Sequence, residues 1–108
     1  MTILSHYDSI FLASIMIQSF GDSDTESLFN REQIKKLPSQ LYYRARSKLL
    51  VIHAAANEND LRIPPGNRFE KLKGAKKGWS SIRINDQWRV IFKWVRGNAF
   101  EVTITDYH

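Results

Sequence analysis

A chain of 108 residues that is 43% hydrophobic and 25% charged has the make-up of one globular domain, large enough to bury its own core. It has no cysteine, which excludes disulfides and thiolate metal sites, and its three histidines (His6, His53 and His108) lack metal-ligand spacing. No metal or other cofactor is therefore expected.

The net charge of +5 is unevenly spread: ten Lys or Arg residues and two acids, Glu70 and Asp86, lie between Arg62 and Arg96. The first thirty residues hold four acids and no Lys or Arg. That asymmetry points to an anionic partner for the C-terminal half, although charge alone fits a solvated basic face equally well. A membrane is not the expected partner. No run approaches the roughly 20 apolar residues of a spanning helix, and the basic residues fall in strand-like sequence rather than on an amphipathic helix. The apolar N-terminus lacks the positive region of a signal peptide, so a cytoplasmic location is expected.

Residues 1–15 read as an extension ahead of a single domain, 16–108, that begins at Met16. A strand-like run follows at 17–20. Asp22, Ser23 and Asp24 offer helix caps, and a short helix runs to about Asn30. Pro38 and Ser39 start a second helix, along which Leu41, Ala45, Leu49, Ile52 and Ala56 recur at three- and four-residue spacing while Arg44, Arg46 and Lys48 project elsewhere. His53 borders that apolar face and reads as a packed histidine rather than a ligand. The helix ends within 57–60, and the prolines of 63–67 forbid regular structure.

Beyond them the period changes to two. Strands are expected at 68–73, 81–84, 87–95 (the longest) and 99–105, separated by the basic turn 75–78, by Asn85 and Asp86, and by a hairpin at 96–98. The order β-α-α-β-β-β-β describes an α+β fold, with two N-terminal helices packed on one face of a mostly antiparallel sheet. Alternation puts Ile82, Ile84, Trp88, Val90, Phe92, Trp94, Phe100, Val102 and Ile104 beneath the helices. Arg83, Arg89 and Lys93 take the other face.

A groove with Arg68, Lys73, Lys76, Lys77, Arg83 and Arg89 can neutralise several phosphates and bind RNA without reading its sequence. Trp79, in the basic turn, could stack on a base. Cutting RNA needs a base for the ribose 2′-OH, a cation for the charged phosphorane and an acid for the departing 5′ oxygen. Near the basic cluster only Glu70, Asp106, Tyr107 and His108 could move or hold a proton, and His108 has a suitable intrinsic pKa for either transfer. Equally, Asp106 could be a hydrogen-bonded strand end and Tyr107 a partly buried aromatic.

Several of these motifs together resemble the HigB family of toxins, the plasmid maintenance system killer branch of the RelE-like superfamily. They are the run 64–68 (Pro-Pro-Gly-Asn-Arg), Leu72-Lys73-Gly74, Gly78, the run 81–85 (Ser-Ile-Arg-Ile-Asn), Gln87-Trp88-Arg89 and the terminal Asp106-Tyr107-His108. The resemblance extends from Met16 to His108. It implies a RelE-like microbial ribonuclease fold and a ribosome-dependent endoribonuclease that enters the A site and cleaves translated mRNA without a metal. It also implies a HigA-like helix-turn-helix antitoxin, through which alone the toxin would reach operator DNA. The family's catalytic C-terminal motif falls on Asp106, Tyr107 and His108, and its basic cleft on Lys73, Arg83 and Arg89. Four positions depart from the family pattern: Glu70 stands where a histidine is frequent, Ala75-Lys76 replaces Asp-Arg, and Ser80 replaces a tryptophan beside Trp79. Two rivals remain at this level, a non-catalytic RNA- or ribosome-binding module and a basic scaffold that docks an acidic protein.

Overall fold

Turn chemistry and alternation organise the C-terminal half. The computed structural model describes residues 17–106, so the extension at 1–15, Met16, Tyr107 and His108 lie outside the described residues. Four strands, β1 (Glu70–Lys71), β2 (Trp79–Arg83), β3 (Trp88–Val95) and β4 (Asn98–Asp106), form one sheet in that order, each antiparallel to its neighbour. Between β2 and β3, Asn85 Oδ1 accepts from the backbone N–H groups of Gln87 (2.9 Å) and Trp88 (2.7 Å), the local bonding by which Asn closes turns. Between β3 and β4 the loop is Arg96-Gly97, both at positive φ (52° and 80°), as a two-residue hairpin with the right-handed strand twist requires.

The expected strand at 17–20 lies along β4 and runs parallel to it, through bridges Ile17–Ala99 and Phe20–Val102. Gln18 N–H donates to Ala99 O (2.8 Å) and Gly21 N–H to Val102 O (2.9 Å). Gly21 lies so close to β4 that a Cβ on it would fall 2.0 Å from the Thr103 side-chain Oγ1 and 3.1 Å from the backbone Glu101 O. The sheet is thus mostly antiparallel, with one parallel edge.

Two helices cover one face. Helix α1 (Ser23–Phe29) is capped by Asp22, whose side chain accepts from Thr25 N–H at 2.9 Å, and it buries Thr25 and Leu28. Burial pushes the Asp22 carboxyl upward, but hydrogen bonds from Lys36 and Thr25 outweigh it, and its pKa lies below the ordinary 3.8. The Thr25 hydroxyl accepts from Ile104 N–H (2.9 Å), which ties the helix to β4. Helix α2 (Tyr42–Ala54) follows a 3-10 turn, Ser39–Leu41, and buries Ala45, Leu49 and Ile52 against the sheet. The core they share includes Ile82, Ile84, Trp88, Val90, Phe92, Ala99, Val102 and Ile104.

Several boundaries differ from the sequence expectation. Because α2 stops at Ala54, the chain turns and buries Ala55, leaving Ala56 exposed. Residues 57–60 start a capped 3-10 turn, Glu58–Arg62, in which Asn57 and Asp60 bond each other's backbone. The proline connector holds a further turn, Pro65–Asn67, for which a proline at the first position is well suited. Asn67 anchors it from within, donating to Leu61 O and Ile63 O at 3.1 and 3.2 Å. Of the strand expected at 68–73 only Glu70–Lys71 pairs, and β4 is longer than β3.

The largest difference concerns Phe100. Ile91 pairs with Thr103, but Lys93 pairs with Phe100, so Glu101 and Val102 together oppose Phe92. This β-bulge puts Glu101 at φ 54° and reverses the facing of every residue before it on β4. Ala99 therefore enters the core opposite Trp94, and Phe100 leaves it to stand beside Lys93.

Candidate active site

The sheet face away from the helices is built in rows set by register, because directly paired residues share a face. Arg83, Arg89 and Thr105 form one row, and Glu70, Ser81, Ile91 and Thr103 form the next. The two rows bring Glu70 to Arg89, with Oε1 3.9 Å from Nη1. The Arg89 side chain is only 14% exposed, so its charge acts with little solvent screening. Arg68, at φ 47° after the Pro65–Asn67 turn, joins Phe69, Glu70 and Arg89 around a shallow pocket of about 280 Å³. Arg83 stands directly opposite Arg89 and is held by Asp86 from the following turn. Behind Glu70, Ser81 Oγ is buried and has no hydrogen-bond partner among the described residues.

The remaining sequence candidates spread further. Trp79 lies in β2 rather than in the basic turn, and the ammonium groups of Lys76 and Lys93 sit over its ring at 4.6 and 5.0 Å. Lys73 is exposed at the start of the turn Gly74–Lys76 and forms no side-chain ion pair among the described residues. Lys77 borders a different cavity of about 420 Å³ with Glu58, Lys71, Trp79 and Trp94. Asp106 pairs with Trp88, so alternation from Thr105 turns it away from the Arg89 face, and Gln87 Nε2 donates to its Oδ2 at 3.1 Å. Strand geometry therefore does not join Asp106 to Glu70 and Arg89. Tyr107 and His108 lie outside the described residues.

Two features escaped the sequence reading, Phe69 in the Glu70 pocket and the outward turn of Phe100. Ser81, Ile91 and Thr103 fall on the outer face as alternation expects, and register joins them into one band. A cavity of about 570 Å³ lies elsewhere, between α2 and the β2–β3 turn, lined by Tyr43, Arg44, Lys48 and Arg83. Burial there lowers the Lys48 pKa below 10.5, and Arg44 adds to the shift. His53 fits its expected role: half-buried near the end of α2, it meets Phe29 edge-on at 5.0 Å, and burial pushes its pKa below 6.5.

Comparison with known proteins decides the family. Residues 18–108 match the model for the RelE-like toxin of type II toxin-antitoxin system HigB. The chain belongs to this family. Toxin HigB-1 of Vibrio cholerae is 46% identical over 94 residues, covering 86% of this chain and 98% of that protein. Endoribonuclease HigB of Proteus vulgaris is 29% identical over 93 residues, 86% of this chain and all of that protein. A crystal structure of a YafQ mutant from E. coli superposes with a TM-score of 0.52 at 17% identity, covering 83% of this chain and 90% of that one, a likeness of fold. Membership makes the chain the toxin half of a toxin–antitoxin pair. No helix among the described residues is long and apolar enough to cross a membrane.

Proposed function

We propose that this toxin is an endoribonuclease that cuts translated mRNA in the ribosomal A site through attack of a ribose 2′-OH on the adjacent phosphorus. The approach of Glu70 to a shielded Arg89 at 3.9 Å, on a sheet face rich in cations, carries the reading. The name of the Proteus vulgaris relative supports it. Arg89, with Arg83 opposite, binds the scissile phosphate and stabilises the charge that grows on it. Lys73 and Arg68 meet neighbouring phosphates, as do Lys76 and Lys77. Glu70 takes the 2′-OH proton as the new P–O2′ bond forms. His108 gives a proton to the 5′ oxygen as the P–O5′ bond breaks, leaving a 2′,3′-cyclic phosphate and a 5′-hydroxyl. Tyr107 stacks on or positions the mRNA, and Asp106, steadied by Gln87, orients His108.

Domain 16–108 carries this activity in the cytoplasm, behind the extension 1–15. The antitoxin is a HigA-like helix-turn-helix protein, through which the toxin reaches operator DNA. Primer extension and end-group analysis on translated mRNA test the scheme. Wild type should leave cyclic-phosphate ends, and His108→Ala should keep ribosome binding while abolishing cleavage. Cleavage of mRNA carrying 2′-deoxyribose at the scissile position would sink the mechanism. Joint loss of binding and cleavage in His108→Ala and Arg89→Ala would favour a binding module instead.

A further inference from the structure

The bulge in β4 carries a consequence for RNA binding. Trp79 pairs with Lys93 and Lys93 with Phe100, so these three side chains form a row across β2, β3 and β4 on the Arg89 side of the sheet. Lys93 lies four residues beyond Arg89 on β3, about 13 Å at roughly 3.3 Å per residue. An RNA single strand of a few nucleotides spans that distance. The two aromatics of the row are differently engaged. The Trp79 ring already holds the ammonium groups of Lys76 and Lys93, whereas Phe100 joins neither the core nor any ring or cation contact among the described residues. Lys93 is also paired with Glu101 at 3.1 Å, with both side chains about half exposed, an arrangement too weak to resist exchange for a phosphate.

We propose that Phe100 is a base-stacking residue, forming with Lys93 a subsite for one unpaired nucleotide of the RNA: the ring takes the base and the ammonium its phosphate. Trp79 acts as the holder of Lys76 and Lys93 rather than as the platform. A single half-exposed phenylalanine is ordinary on a protein surface. This one differs because a bulge turns it out of the core, onto the one sheet face that carries Glu70 and Arg89 and next to a lysine. Bulges recur beside active sites because they re-aim side chains in this way. Every base has a π-face, so such a subsite binds without strict sequence preference. The inference rests on the RNA-cleaving reading.

The test uses the full-length protein and a fully 2′-O-methylated RNA dodecamer bearing one 2-aminopurine, walked along the sequence. Wild type and Phe100→Tyr should quench the probe at one position. Phe100→Leu, which keeps an apolar side chain but has no ring, should lose the quenching and bind about ten-fold or more weakly, as the loss of one stacked base implies. With an abasic nucleotide at that position, all three proteins should bind alike. Unchanged quenching in Phe100→Leu would overturn the proposal, and so would an equal loss of affinity for intact and abasic RNA, the pattern of a purely structural defect. Cleavage of translated mRNA is scored separately. Cleavage by wild type without ring-dependent quenching sinks the subsite alone, while ring-dependent quenching without cleavage sinks the nuclease reading alone.

Discussion

On the helix side of the sheet, Val90, Phe92, Val102 and Ile104 are wholly buried, whereas the other side carries Arg83, Arg89, Glu70 and Lys93 around a band of Ser81, Ile91 and Thr103. The two faces share the same backbone and the same register. They differ in what holds them. The first is fixed by area removed from water, which is non-directional and tolerates neighbours of similar shape. The second depends on which charges the register sets opposite each other, and there a displacement of one residue exchanges a phosphate contact for a core contact. Stability and chemistry should therefore separate cleanly between the faces.

Phe92→Ala should produce the largest effect. It empties the centre of the helix-facing side and should cost about 3–5 kcal/mol, read as a large fall in Tm or in the denaturant midpoint. What remains folded should still cleave, because Phe92 is not among the residues that line the Glu70 pocket. Arg89→Gln should do the opposite. Cleavage should fall about 10²- to 10³-fold, as for removal of one preorganised donor to a developing anion, with little change in Tm. A collapse of Tm in Arg89→Gln, or catalytic death in folded Phe92→Ala, would erase the distinction between the faces.

A pH titration sharpens the comparison on the helix side. Burial lowers the His53 pKa below 6.5, so the folded chain holds this proton less tightly than the unfolded chain does. The stability linked to His53 is then complete above about pH 6.5 and is lost as pH falls through the folded value. His53→Phe should flatten the Tm profile between pH 5 and 7, leaving the losses tied to Asp22, whose lowered pKa puts its window below 3.8. An unchanged slope in His53→Phe would assign the pH dependence to other groups.

The helix-facing side was legible because period-two and period-three-to-four patterns report burial directly. Val90, Phe92, Val102, Ile104, Ala45, Leu49 and Ile52 all fell where their spacing put them. Phe100 did not, because a bulge is encoded by one backbone angle at Glu101, a residue type with no special preference for φ 54°. The approach of Glu70 to Arg89 was legible only in part. Composition marked both residues as candidates, but their meeting depends on Glu70 opposing Ser81 and Ser81 opposing Ile91, two registers that no local pattern announces. Asp106 illustrates the same limit: it is close in sequence to the site, yet alternation from Thr105 turns it to the other face.

Ser81 gives the smallest and most discriminating prediction. It sits directly opposite Glu70 in the ladder, wholly buried, with a hydroxyl that lacks a partner among the described residues. A buried polar group without a partner retains its desolvation cost, so Ser81→Ala should leave stability unchanged or raise it by up to about 1 kcal/mol. Only one oxygen is removed, so little cavity is left behind. If the middle band serves merely as the floor on which Glu70 and Arg89 stand, cleavage should also be unchanged. Loss of cleavage at an intact Tm would move the Ser81 hydroxyl from the floor into the machinery. The boundary between scaffold and site would then run through the outer face itself rather than between the two faces of the sheet.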